Sequence, residues 1–162
     1  MKLDKKRRIK GITNYPKRLT LLKGKSPRLV VRKTNRYIIL QIIESENAQD
    51  NVLYSANTRE LLNLGWPKDK KNSLKSLSAA YLGGLVLGNK AKELKSKVIL
   101  DSGLIPSIKG SRIYSAVKGV ADSGIEVPFD KKILPSNERI EGEHMKLDKE
   151  IFNKIKQKIL TK

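Results

Sequence analysis

Catalytic chemistry needs groups that exchange protons, nucleophiles set beside a base, or ligands that hold a metal. This sequence offers few of them. Its single histidine, His144, follows Glu143 in a charged segment, and there is no cysteine. One imidazole without a second His or any thiolate does not anchor a typical transition-metal site, so His144 is expected to be solvated. Asp101 closes the apolar run KVILD at residues 97–101, and a carboxylate at a strand end can bind Mg²⁺. A two-metal site needs more ligands than one, and residues 29–31, LVV, carry no acid to join it. In Lys109-Gly110-Ser111 the Lys and Gly of a phosphate loop stand in reversed order, with no earlier glycine at the required spacing. These patterns argue against an enzyme.

Positive charge is the chemistry the chain does carry. Lys and Arg number 35 against 16 Asp and Glu in 162 residues, a formal charge of +19. Such an excess repels itself in a compact chain, and a polyanion relieves the repulsion. The charge is also clustered: residues 1–36 hold 14 Lys and Arg against one acid, Asp4. Nucleic acid is the expected partner. Arg28, Arg32, Lys33 and Arg36 frame an apolar stretch, while Lys109, Ser111 and Arg112 stand at a predicted helix start. Free backbone N–H groups and the dipole favour a phosphate there, although Ser111 as a plain cap with solvated cations fits the same residues. Tyr15, among cations, suits stacking on a base or packing within its own segment.

These side chains need a scaffold. Residues 26–43, SPRLVVRKTNRYIILQII, read as two strands joined by a tight turn at Thr34 and Asn35. Apolar residues fill both parities of 37–43, so that strand is expected to be covered on both faces, with the four cations at its ends in water. Residues 44–51 read as a loop, and 52–57 alternate as a half-exposed third strand, completing an antiparallel meander. Thr58 caps a predicted short helix over 59–64, stopped by Gly65 and Trp66-Pro67. Leu77, Tyr81, Leu82, Leu85 and Val86, continued by Ala91 and Leu94, form the stripe of a long helix beginning at 76 or 78 and ending at 94. Its Gly83, Gly84 and Gly88 each cost ~1 kcal/mol relative to Ala, which suits close approach to a sheet or neighbour.

Residues 97–101 then read as a buried strand, parallel to one of the meander because a helix intervenes. Ile113, Ala116, Val117, Val120 and Ala121 predict a second amphipathic helix over 111–123, followed by a short strand at 125–129. Residues 130–145 are expected to be irregular and 147–160 to form a small helix. Three parts follow: a basic extended arm over 1–25, an α/β core over 26–129 and an irregular C-terminal extension with a short helix over 130–162. The arm is too poor in apolar residues to bury itself, and Asn14-Tyr15-Pro16 is read as a helix break. Leu19, Leu21 and Leu22 are expected to dock its end on the core. A chain of this length can bury roughly 70% of its unfolded surface. The lack of cysteine fits a reducing compartment, no run approaches the ~20 apolar residues of a membrane span, and the basic N-terminus lacks the apolar segment of an export signal. No cofactor is implied.

Several stretches in fixed order carry a resemblance: RRIKGITNYPKRLTLLKGKSPRLVVRKTNRYIILQII, SANTRELLNLGW, AAYLGGLVLGNKA, ILDSGL, KGSRIYSAVKGVADSGIEVP and ILPSNERIEGEH. From about residue 6 to 144 the chain resembles the 5S-rRNA-binding proteins of the large ribosomal subunit, family eighteen, in their archaeal and eukaryotic branch. The resemblance implies a mixed sheet flanked by helices, related to the ribonuclease-H-like topology without its catalytic acids. It implies a non-enzymatic part of the cytoplasmic ribosome that binds 5S rRNA, contacts large-subunit rRNA and neighbouring ribosomal proteins, and anchors the central protuberance. The RNA-binding residues it implies are Lys6, Arg7, Arg8, Asn14, Tyr15, Lys17 and Arg18 in the arm. It adds Arg28, Arg32, Lys33, Asn35 and Arg36 in the hairpin, and Lys109, Ser111 and Arg112 in the later loop. A general DNA-compacting protein would use the same charge; a degenerate nuclease would need a metal site the sequence lacks.

Overall fold

The predicted hairpin forms around a turn that its own side chain closes. In the computed structural model, which describes residues 5–47, 49–145 and 147–161, the Thr34 hydroxyl donates to the Tyr37 carbonyl at 2.7 Å and accepts from the Tyr37 N–H at 3.0 Å. The turn joins β1 (Arg28–Lys33) to β2 (Ile38–Glu46), with Leu29 opposite Ile42 and Val31 opposite Leu40. β3 (Gln49–Asn57) pairs antiparallel with β2, and β4 (Ile99–Asp101) pairs parallel with β1, giving one sheet in the order β3-β2-β1-β4. The expected loop at 44–51 is largely ladder instead, because Ser45 pairs with Asp50 and Glu46 with Gln49. Backbone bonds extend a hairpin past its apolar part without side-chain burial, so alternation alone does not mark this end.

Helices α1 (Lys6–Ile9) and α2 (Tyr15–Lys23) precede the sheet, and α3 (Leu61–Leu64) follows β3. Next come α4 (Leu77–Lys90), α5 (Arg112–Asp122), α6 (Asn137–Glu141) and α7 (Lys149–Leu160). Helix α4 is buried on every side from Leu77 to Gly88, which makes it the central helix rather than an amphipathic cover. Its glycines have the predicted use. A Cβ at Gly84 would land on the Ala116 carbonyl oxygen, and one at Gly119 on the Tyr81 carbonyl, so α4 and α5 meet backbone to backbone. Helix α7 caps α4 from the far side through buried Phe152, Ile155 and Ile159, with the Tyr81 and Phe152 ring centroids 6.0 Å apart.

Several expectations need correction. The N-terminal segment is not an extended arm across its described part, since residues 15–23 are helical; residues 1–4 lie outside the described residues. Asn14 accepts from the Lys17 N–H as N-cap, and Pro16 sits in the first turn, where a missing N–H costs nothing. No residue of α1 or α2 is buried. Residues 125–129 form no strand, although the Val98 N–H donates to the Glu126 carbonyl at 2.9 Å. Residues 130–145, expected to be irregular, contain α6 and two 3₁₀ turns.

Candidate nucleic-acid interface

The two faces of the sheet differ in kind. Leu29, Val31, Leu40, Ile42 and Ala56 point into the apolar core with α4. On the other face the register sets Arg28, Val30 and Arg32 beside Asp101 of β4. That face is not fully covered, since Ile39 and Gln41 stay half-buried, against the expectation for β2. It carries an ion-pair network. Arg28 donates to Asp101 at 2.8 Å and to Asp50 at 2.7 Å; Arg32 donates to Asp101 at 3.0 Å; Arg18 reaches Asp50 at 3.1 Å.

Arg28 is therefore corrected as a surface residue: it is 2% exposed, and its charge is spent on two carboxylates. Burying a guanidinium is tolerable only when it is paired in this way. Asp101 is likewise an ion-pair partner rather than a Mg²⁺ ligand. Burial alone would push its carboxyl up, but Arg32, the Gly103 N–H at 2.8 Å and Arg28 hold it below the ordinary carboxylate range. For Asp50, burial pushes up and is outweighed by the Ser45 hydroxyl, Arg18 and Arg28. Among the described residues no group of three or more His, Cys, Asp or Glu is placed to hold a metal ion.

Beyond the ends of β1 and β4, where ligands commonly sit in α/β sheets, the three predicted basic segments converge. One concavity is lined by Arg7, Asn14, Lys17 and Arg18 from the N-terminal segment together with Arg32 and Lys33. A neighbouring one is lined by Lys33, Ser111 and Arg112. Lys33 and Ile105 belong to both, so the concavities adjoin. Lys17 holds the N-terminal segment in place by donating to the Ser102 hydroxyl at 3.2 Å and the Gly103 carbonyl at 3.1 Å.

The remaining predicted residues are peripheral to these concavities. Lys6 and Arg8 are exposed on α1, Tyr15 sits under the Lys5 ammonium at 4.6 Å, and Asn35 and Arg36 are exposed at the hairpin tip. Lys109 is exposed beside the second concavity. Ser111 occupies the N-cap position of α5, yet its hydroxyl makes no capping bond and has no hydrogen-bond partner. Arg139, from the short helix in the segment expected to be irregular, also lines the second concavity, as does His144. The only sequence signal for Arg139 was its charge; nothing local ties it to Lys33 or Arg112.

The comparisons with known proteins bear on this geometry. Residues 1–98 match the family described as ribosomal large subunit proteins 60S L5 and 50S L18. The large ribosomal subunit protein uL18 of Korarchaeum cryptofilum is 49% identical over 145 residues, covering 89% of this chain and 72% of that protein. The chain belongs to this family. The uL18 of Methanoregula boonei is 42% identical over 141 residues, covering 86% of this chain and 79% of its own length. As a family member the chain is a ribosomal protein, a structural component of the cytoplasmic ribosome and not an enzyme. Among the described residues no helix is long and apolar enough to cross a membrane.

Proposed function

We propose that the chain binds 5S rRNA, contacts large-subunit rRNA and neighbouring ribosomal proteins, and so anchors the central protuberance. The observation that carries this reading is the convergence of N-terminal segment, hairpin end and α5 loop around Lys33, in a chain of charge +19. Lys6, Arg7, Arg8, Asn14, Tyr15, Lys17 and Arg18 form one side of the RNA surface. Lys33, Asn35, Arg36, Lys109, Ser111 and Arg112 form the other. Arg32 lies between, its side chain 41% exposed but already paired to Asp101. Arg28 serves by positioning the strand rather than by touching RNA.

Affinity comes from neutralised phosphates and released counterions, and selectivity from the shape that a rigid sheet end imposes. Residues 1–25 act as a peripheral RNA clamp, 26–129 as the core and 130–162 as an extension that completes it. The sheet order, with β4 parallel to β1, supports the ribonuclease-H-like relationship. Binding of purified chain to transcribed 5S rRNA, and to duplex DNA of equal length, tests the reading across about 50–200 mM salt. Preference for 5S rRNA should persist at the upper salt; equal affinity for the duplex would favour general compaction instead.

A further inference from the structure

The concavity at the start of α5 has a composition that phosphate binding does not require. It encloses about 530 Å³, within the ~300–1,000 Å³ of sites that engulf a small molecule. Its floor is aliphatic, made by Val31, Ile38, Leu77 and Ile113. Ile105 and Ile108 form an apolar rim, and Ile108 is left 58% exposed. Around the same mouth stand Lys33, Arg112 and Arg139, and among the described residues none of the three forms an ion pair. The Ser111 hydroxyl, also lining the cavity, is shielded from solvent without a partner. A cavity built only for phosphate would be polar; one built only for an apolar side chain would not need three unpaired cations.

We propose that this cavity receives one unstacked base of the bound RNA, the base lying on the aliphatic floor and its phosphate held by Lys33, Arg112 and Arg139. The inference rests on the RNA-binding reading above and adds to it a single-nucleotide subsite and Arg139 as one of its residues. Both halves of the cavity are matched: the flat face of a nucleobase is the apolar part of a nucleotide, and its phosphate is the anion. Single-stranded loops, whose bases can be splayed out, are where RNA recognition of this kind occurs.

Two measurements on the full chain test it. In the first, methyl NMR follows the cavity residues while AMP, GMP, CMP or UMP is added, with ribose 5-phosphate as the base-free control. At least one nucleotide should shift the Val31, Leu77 and Ile113 methyls, while ribose 5-phosphate leaves them in place. In the second, Ile105→Asn with Ile108→Asn, both at the rim, should weaken 5S rRNA binding at least about fivefold, as the loss of roughly 40 Å² of apolar contact at ~25 cal/mol per Å² predicts. The salt slope should not change, because no cation is removed. Arg139→Gln should instead reduce both affinity and slope. If the wild-type chain binds 5S rRNA, but no nucleotide moves the methyls and the rim variant binds like wild type, the subsite is overturned while the RNA-binding reading stands. If nucleotides shift the methyls but 5S rRNA is not bound, the base site stands and the choice of RNA falls.

Discussion

The two faces of the sheet make opposite use of the same strands. On the α4 face, Leu29, Val31, Leu40 and Ile42 are fully or almost fully buried against a helix with glycines at its contacts, and stability there is a matter of shape. On the other face Arg28 is just as inaccessible, but it is held by Asp50 and Asp101, and stability there is a matter of charge pairing. Positive charge in a sequence is therefore not the same as positive charge available to RNA. The buried start of β1 consumes its arginine, while the far end of the strand and its turn keep Lys33 and Arg36 exposed.

Each face can be weakened by itself. The largest expected effect is on the charged face: Arg28→Ala leaves Asp50 only Arg18 and Asp101 only Arg32 as ion-pair partners, and should destabilise the chain by about 3 kcal/mol in denaturant unfolding, the low end for breaking a buried pair. On the apolar face, Gly84→Ala places a methyl against the Ala116 carbonyl and should cost about 1–3 kcal/mol, with α4 and α5 pushed apart. Acid should separate the two faces. The folded-state pKa values of Asp50 and Asp101 are lowered, so their contribution is whole at neutral pH. It begins to fail as pH drops below the unfolded-state value of about 3.9, and it is lost below the lower folded-state values. Arg28→Ala, which leaves Arg18 and Arg32 in place, should make that part of a stability-against-pH curve shallower without abolishing it, and Gly84→Ala should leave its shape intact.

Smaller effects sharpen the contrast. Removing residues 1–13 keeps the Asn14 cap of α2 and every side chain buried among the described residues, so the melting temperature should hardly move while 5S rRNA affinity falls. Least of all should Lys33→Glu with Arg36→Glu change unfolding, within about 0.5 kcal/mol. That pair should still weaken RNA binding and reduce its salt slope by roughly 0.7–0.9 for each phosphate left without its cation.

Periodic segments were legible in the sequence because period reports burial directly. Helices α5 and α7 follow from it, whereas the hairpin and α4 are marked by the length and bounds of their apolar runs, α4 being buried on every side. Two kinds of feature were not legible. Pro16 reads as a breaker unless its place in the first turn is known, and that place is set by Asn14 acting as cap. The polar end of the β2–β3 ladder has no apolar alternation to announce it. For the candidate interface, the cations were visible but their commitments were not. Arg28 and Asp101 are 73 residues apart, and Arg139 meets Lys33 and Arg112 only through the fold. Long-range pairing decides which of several similar arginines remains available.

The parallel pairing of β4 with β1 also has a consequence for how the chain is made. Arg28 leaves the translating ribosome 73 residues before Asp101 does. At ~5–20 residues per second that interval is about 4–15 s. Throughout it the nascent hairpin has an open β1 edge and an arginine lacking one of its two carboxylates. The most basic third of the protein is thus exposed longest in its least neutralised form, in surroundings crowded with RNA. A nascent-chain chaperone that shields residues 5–43 until β4 emerges would act at the point of greatest risk, and pulse-labelled chains halted before residue 101 should be the ones most prone to bind RNA indiscriminately.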